Sequence, residues 1–237
     1  MMGRAAGVLM PVSALPGKYG IGCFDREAYQ FVDFLEKAGQ TYWQILPLNP
    51  PNHFPLAYDS PYQSFSTFAG NPWYISLDAL VREGALTQEE VEAADFGSDP
   101  EKIDYEKIYR NRLPLLRKAY ERARVAENED YLRFISENAW WLDDYALFMA
   151  LKKFFKDAEW PDWPEDISRH WGYAVDYYNQ LLYFDIEFHK YTQFKFFQQW
   201  KALKSYANAR HIRIIGDIPI YVSFDSADVW AHSELFQ

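Results

Sequence analysis

Three apolar runs constrain this chain more than any other feature: "AGVLMPV", "TYWQILPL" and "HIRIIGDIPIYV". Near-continuous hydrophobic runs of this length suit strands buried on both faces of a parallel sheet. A helix is predicted between the first two. It starts near Asp25 as N-cap, ends at Gly39, and sets Ala28, Phe31, Val32, Leu35 and Ala38 on one face. Strand, helix, strand in about forty residues reads as a right-handed βαβ unit.

The third run follows a long helix predicted from about Asp176 to Ala209. Phe184, Phe188, Tyr191, Phe194, Phe197, Trp200, Leu203 and Tyr206 recur along it at steps of three or four. That stripe winds around the helix and is expected to touch more than one neighbour; core packing explains it better than a cofactor box. No strand is predicted from about Thr87 to about Trp171. That stretch reads as a helical insertion, with Pro114 a kink or boundary and "EWPDWPEDISRHW" irregular. The expected division is therefore 1–84 as a first α/β part, 85–175 as the insertion, and 176–237 as the return to the α/β part. Outside the insertion roughly 140–150 residues remain, about four or five βα units of ~30 residues. A closed eight-unit barrel needs ~250 residues, so any barrel here is incomplete.

Composition excludes several classes. A net charge of −10 and the absence of a basic stripe argue against a nucleic-acid partner. The apolar runs are too short to cross a membrane, which takes about 20 residues. No signal-peptide pattern opens the chain, and the single cysteine, Cys23, cannot form an internal disulfide, so a cytoplasmic location is expected. Cys23 itself reads as a small buried thiol. The five histidines show no ligand spacing, and no metal or cofactor is expected. "GKYGIG" lacks the ending of a phosphate loop and reads as a turn, and a G-x-S-x-G elbow is absent.

Carboxylates and aromatics near strand ends remain. Asp217 follows "IRIIG", where an unpaired charge is costly. It either pairs with a neighbouring loop or contacts a ligand. Tyr62, in the Pro-, Ser- and aromatic-rich segment after Leu48, either pins that segment or stacks on a sugar ring. Asp225, Asp228 and Glu234 are expected to cap turns or face water.

"GVLMPVSALPGKYGIGCF", "FVDFLEKAGQTYWQILPLNP", "SPYQSFSTFAGNPWYISLDAL" and "IIGDIPIYVSFDSADVWAHSELF" together resemble the amylomaltase, or 4-α-glucanotransferase, family. The resemblance implies a (β/α)8 TIM barrel, incomplete in this chain, with helical insertions. It implies transfer of an α-1,4-glucan segment to the 4-hydroxyl of an acceptor glucan through a covalent glycosyl-enzyme, a two-carboxylate retaining mechanism. On this resemblance Tyr62 corresponds to the tyrosine that stacks on a donor sugar. Asp217 corresponds to the aspartate that hydrogen-bonds the sugar beside the scissile bond, and Ser60 lies in the loop of Tyr62. The family's nucleophile, acid/base and stabilising aspartate fall in blocks after "GDIPIYV" that are not found here, so no catalytic residue is assigned, and neither Asp225 nor Asp228 takes that place. The chain is expected to be the N-terminal part of such an enzyme, inactive alone. A non-catalytic glucan-binding module and an α-glucan hydrolase are the competing readings.

Overall fold

The computed structural model describes residues 4–52, 60–99 and 102–236. In chain order the elements are β1 (Gly7–Leu9), α1 (Arg26–Lys37), β2 (Tyr42–Gln44), α2 (Leu77–Arg82), α3 (Gln88–Glu92) and α4 (Tyr105–Arg122). There follow α5 (Glu129–Phe154), α6 (Glu165–Ser168), α7 (Gly172–Leu181), α8 (Tyr183–Ala209), β3 (Arg213–Ile215) and α9 (Ala227–Ala231). The chain divides into two compact units. The first comprises Met1–Pro47, Asn71–Arg124 and Lys195–Asp217; the second comprises Leu48–Gly70, Val125–Phe194 and Ile218–Gln237.

The first unit is α/β. Its strands form a parallel sheet of order β1-β2-β3, with Gly7 opposite Tyr42 and Tyr42 opposite Arg213. Parallel neighbours need crossover connections, and α1 supplies the first. Asp25 caps it, accepting a hydrogen bond from the Arg26 amide at 2.9 Å. Gly39, at φ +69°, ends it in the left-handed conformation that glycine adopts without cost. Of the predicted inner face, Ala28, Val32 and Leu35 are buried, while Ala38 is the exposed C-cap. Phe31 is half-buried and meets Trp43 edge-on at 5.2 Å.

The expectation of strands buried on both faces fails for β1 and β3. Leu9 and Ile215 are exposed, whereas Trp43 on β2 is fully buried. Among the described residues only β2 has a strand on each side, and β1 and β3 are the sheet edges. The third apolar run also stops early. Strand β3 ends at Ile215, and Ile218, Ile220 and Tyr221 are exposed, Ile220 to 87%. The Ile45 amide donates to Ile215 O at 3.0 Å, and Pro219 has no amide proton with which to extend a ladder.

Helix α4 passes through Pro114, which excludes the boundary of the two expected alternatives, kink or boundary. Its Arg112 is fully buried and donates to Ile75 O at 2.6 Å and Tyr19 O at 3.4 Å, tying two irregular segments to the helix. The last part of α8 packs in the same unit, Trp200 against Phe24 at 5.6 Å and Tyr206 against Tyr29 at 4.8 Å.

The second unit is helical, and no strand occurs within it among the described residues. Long helix α5 buries Tyr131, Phe134, Leu142, Tyr145, Phe148 and Leu151. Phe194 of α8 packs on Tyr131 and Phe134 at 5.5 and 5.8 Å, as core packing of the aromatic stripe requires. Phe184, predicted on that stripe, is exposed. The single helix predicted from Asp176 is two, α7 and α8, interrupted at Leu182 with φ −106° and ψ 18°. No glycine or proline marks that interruption, so the hydrophobic period runs across it unbroken. The Trp/Pro stretch, expected to be irregular, holds a 3-10 turn at Trp160–Asp162 and the short helix α6.

Candidate functional site

In the second unit, Ser60 and Tyr62 sit together on one turn. The Gln63 amide donates to Ser60 O at 3.1 Å, which makes Ser60–Gln63 a β-turn with Pro61 at the position where a fixed φ is favoured. The Tyr62 amide reaches Ser60 Oγ at 3.4 Å, and the Tyr62 side of the turn is 43% exposed. The Pro-, Ser- and aromatic-rich segment after Leu48 is described on both sides of residues 53–59; those residues, His53 included, lie outside the described residues.

Buried polar contacts hold this turn's base. Pro51 and Ser64 form an antiparallel bridge, and the Asn52 amide donates to Gln63 O at 2.9 Å. Ser64 Oγ lies 2.8 Å from Pro50 O and 2.7 Å from Ser66 O. Asn49 Nδ2 lies 3.2, 2.9 and 3.1 Å from the carbonyls of Ser66, Thr67 and Ala69. Gln193 of α8 accepts from the Gly70 amide at 2.7 Å and donates to Gly70 O at 2.9 Å. Asp228 accepts from Ser66 Oγ at 3.1 Å and, through its other oxygen, from the Thr67 amide at 2.7 Å and Thr67 Oγ1 at 2.9 Å. A loop with no regular pairing of its own thus has its backbone groups satisfied by side chains from distant elements.

The stretch after Ile218 is pinned at its far end. Asp225 is buried and accepts from Lys152 Nζ at 2.7 Å, while Lys152 also donates to Asp157 O and Ala158 O. The Trp160 indole donates to Phe224 O at 2.8 Å, and its ring meets the Phe224 ring at 5.3 Å. Asp225 accepts from the Trp160 amide at the start of the 3-10 turn at 3.4 Å, and half-buried Asp228 accepts from the Thr67 amide, so both cap turns as expected, though turns far from them in sequence; the N-cap of α9 is Ser226, through the Val229 amide. A lysine carried on the buried face of α5, four residues after Phe148, was the available sequence signal for the Asp225 partner.

Asp217 belongs to the first unit. It is half-buried and lies two residues past β3, at the carboxyl end of the sheet. That end is tightly tied: the Met10 amide donates to Gln44 O at 2.9 Å and the Trp43 indole to Met10 O at 2.8 Å. Open parallel sheets collect ligand groups at their carboxyl ends, where loops diverge. Among the described residues no helix is long and apolar enough to cross a membrane.

A parallel sheet whose first crossover is a helix defines an α/β protein. A family model described as 4-alpha-glucanotransferase matches residues 10–237, and the chain belongs to that family. A 4-alpha-glucanotransferase of Clostridium butyricum is 48% identical over 227 residues, 96% of this chain and 46% of the relative. One from Thermus thermophilus is 44% identical over 237 residues, 98% of this chain and 46% of the relative. The solved amylomaltase of Streptococcus agalactiae in complex with acarbose superposes with TM-score 0.91 at 43% identity, covering 99% of this chain and 47% of that one. The chain thus spans about half the length of the relatives it matches.

Proposed function

We propose that this chain forms part of a 4-α-glucanotransferase, in which a segment of an α-1,4-glucan is held as a glycosyl-enzyme and passed to the 4-hydroxyl of an acceptor glucan. Likeness to the amylomaltase that was solved with acarbose, at TM-score 0.91, carries this reading. In the proposal Tyr62 stacks on a donor sugar, Asp217 accepts hydrogen bonds from sugar hydroxyls, and Ser60 contacts substrate from the same turn as Tyr62. The reacting carboxylates are not assigned to any residue of this chain. The three strands are taken as members of an incomplete (β/α)8 barrel, with 1–84 and 176–237 as barrel parts and 85–175 as the helical insertion. Maltooligosaccharides serve as donor and acceptor, no cofactor takes part, and the setting is the cytoplasm.

The test joins this chain to the remaining portion of the Clostridium butyricum relative and supplies maltotriose. Glucose plus maltooligosaccharides longer than maltotriose are expected from the chimera, and neither from the 237-residue chain. Tyr62→Ala or Asp217→Ala in the chimera should slow transfer by about 10²-fold through misplacement of the donor sugar. Full-rate transfer by both variants would overturn the assignment. Glucose and maltose without longer products would replace transfer with hydrolysis.

A further inference from the structure

A second feature of the helical unit has the chemistry of a sugar site. Between the 3-10 turn at Trp160–Asp162 and the start of α7 lies a groove of about 580 Å³, within the ~300–1,000 Å³ of small-molecule sites. Trp160 and Trp171 line it, with Glu165, Ser168, Arg169 and Ser233 as its polar members. The buried Trp163, which donates from its indole to Ala158 O at 3.1 Å, closes its base.

One of the two outer indoles is held in place, and the other is exposed at the groove. Trp160 is fixed by its bond to Phe224 O and its ring contact with Phe224. Trp171 is 44% exposed, and its backbone forms the N-cap position of α7 while its side chain makes no capping bond. Its ring lies 5.9 Å from that of Tyr173, which is also exposed. Arg169 and Glu165 pair at 2.9 Å one helical turn apart, so the groove's charged members cancel. That local cancellation suits a neutral ligand, and the chain's net charge of −10 adds to the case against an anion. Guanidinium donors, carboxylate acceptors and two serine hydroxyls beside indole faces match a neutral ring that is apolar on its faces and hydroxylated on its rim.

We propose that this groove is a second carbohydrate-binding site, separate from the Tyr62 turn, which takes a stretch of α-1,4-glucan without cleaving it. The choice of an α-1,4-glucan over other neutral sugars rests on the proposed glucanotransferase function. The two indoles stack on successive glucose faces, and the Arg169–Glu165 pair and the serines bond the outward hydroxyls. Such a site holds a long glucan near the enzyme while its end is exchanged, raising the local concentration of the chain.

The experiment follows the indole N–H signals of Trp160 and Trp171 in the ¹⁵N-labelled 237-residue chain during titration with maltoheptaose, with cellohexaose as the control. Saturable shifts of both signals with maltoheptaose are expected. Trp171→Ala, which leaves the α7 cap intact, should weaken the Trp160 response roughly three- to tenfold by removing one stacking face. Tyr62→Ala should leave that response unchanged. Signals that stay still at millimolar maltoheptaose, or an unaltered Trp160 response in Trp171→Ala, overturn the proposal. Equal shifts with cellohexaose overturn the α-1,4 assignment. If the indoles respond while Tyr62→Ala leaves transfer by the chimera untouched, the Tyr62 reading falls and the groove stands. If the indoles are silent while Tyr62→Ala slows transfer, the groove alone falls.

Discussion

Lys152 Nζ lies 2.7 Å from Asp225 Oδ2, and both side chains are buried. Seventy-three residues separate them, so the contact ties the turn before α9 to the end of α5. Removing one partner leaves the other charge buried and uncompensated, which costs about 3–5 kcal/mol. Lys152→Met should therefore lower the urea midpoint sharply. Adding Asp225→Leu to the same chain removes the stranded carboxylate and should recover part of the loss. A double variant as unstable as the sum of its singles would show that the two side chains are not coupled.

Asp228 does comparable work for the Tyr62 turn, since its carboxylate accepts from the Thr67 amide and two hydroxyls. Hydrogen bonds to a charged group contribute about 1.5–3 kcal/mol. Asp228→Ala should cost that much in chemical denaturation and should speed hydrogen exchange at the Thr67 amide. Asp228→Asn retains one acceptor oxygen and should fall between. Unchanged exchange at Thr67 in Asp228→Ala would show that the loop is held by Asn49 and Gln193 alone.

These two anchors mark the limit of what could be read before any coordinates. Helix α1 was legible from Asp25 to Gly39 because a cap, an apolar face and a terminating glycine are local signals. The short strands were legible as apolar runs, but their ends were not, because β3 stops where its pairing stops and not where its hydrophobicity does. The interruption at Leu182 left no trace, as the aromatic period crosses it. The Tyr62 and Asp217 assignments came from resemblance, since a lone tyrosine and a lone aspartate carry no spacing. The partners of Gln193 and Asp228 were not legible, for a physical reason. Their partners are backbone groups and hydroxyls 123 to 162 residues away, and side-chain-to-backbone contacts impose no pattern on sequence.

Pro114 offers a gain in stability. It sits inside α4 and is exposed, so a side chain at that position meets little. Proline in a helix interior removes one backbone hydrogen bond and crowds the preceding turn, at up to ~3 kcal/mol relative to alanine. Pro114→Ala should raise the urea midpoint, by about 1 kcal/mol or more. A lowered midpoint would mean that α4 requires the local geometry proline imposes.

Burial pushes the Cys23 thiol up to about 12, from an ordinary value of 9.0, with the nearby Arg112 charge opposing the shift only in part. Two consequences follow at alkaline pH. The folded chain keeps its thiol protonated, so a disulfide reagent such as DTNB should leave native Cys23 unmodified and label it once the chain is unfolded. Above pH 9.0 the unfolded chain releases a proton that the folded chain holds until about pH 12. The unfolded state then binds fewer protons, so this contribution to stability is complete below the unfolded value and is lost as pH rises toward the folded one, at about 1.4 kcal/mol per pH unit. Cys23→Ala removes the titrating group while leaving Tyr74, also pushed up to about 12 by burial, in both proteins. Urea unfolding on either side of pH 9.0 should therefore give a steeper alkaline fall for the native sequence than for Cys23→Ala. Parallel falls, or rapid labelling of the folded chain, would contradict the burial of this thiol.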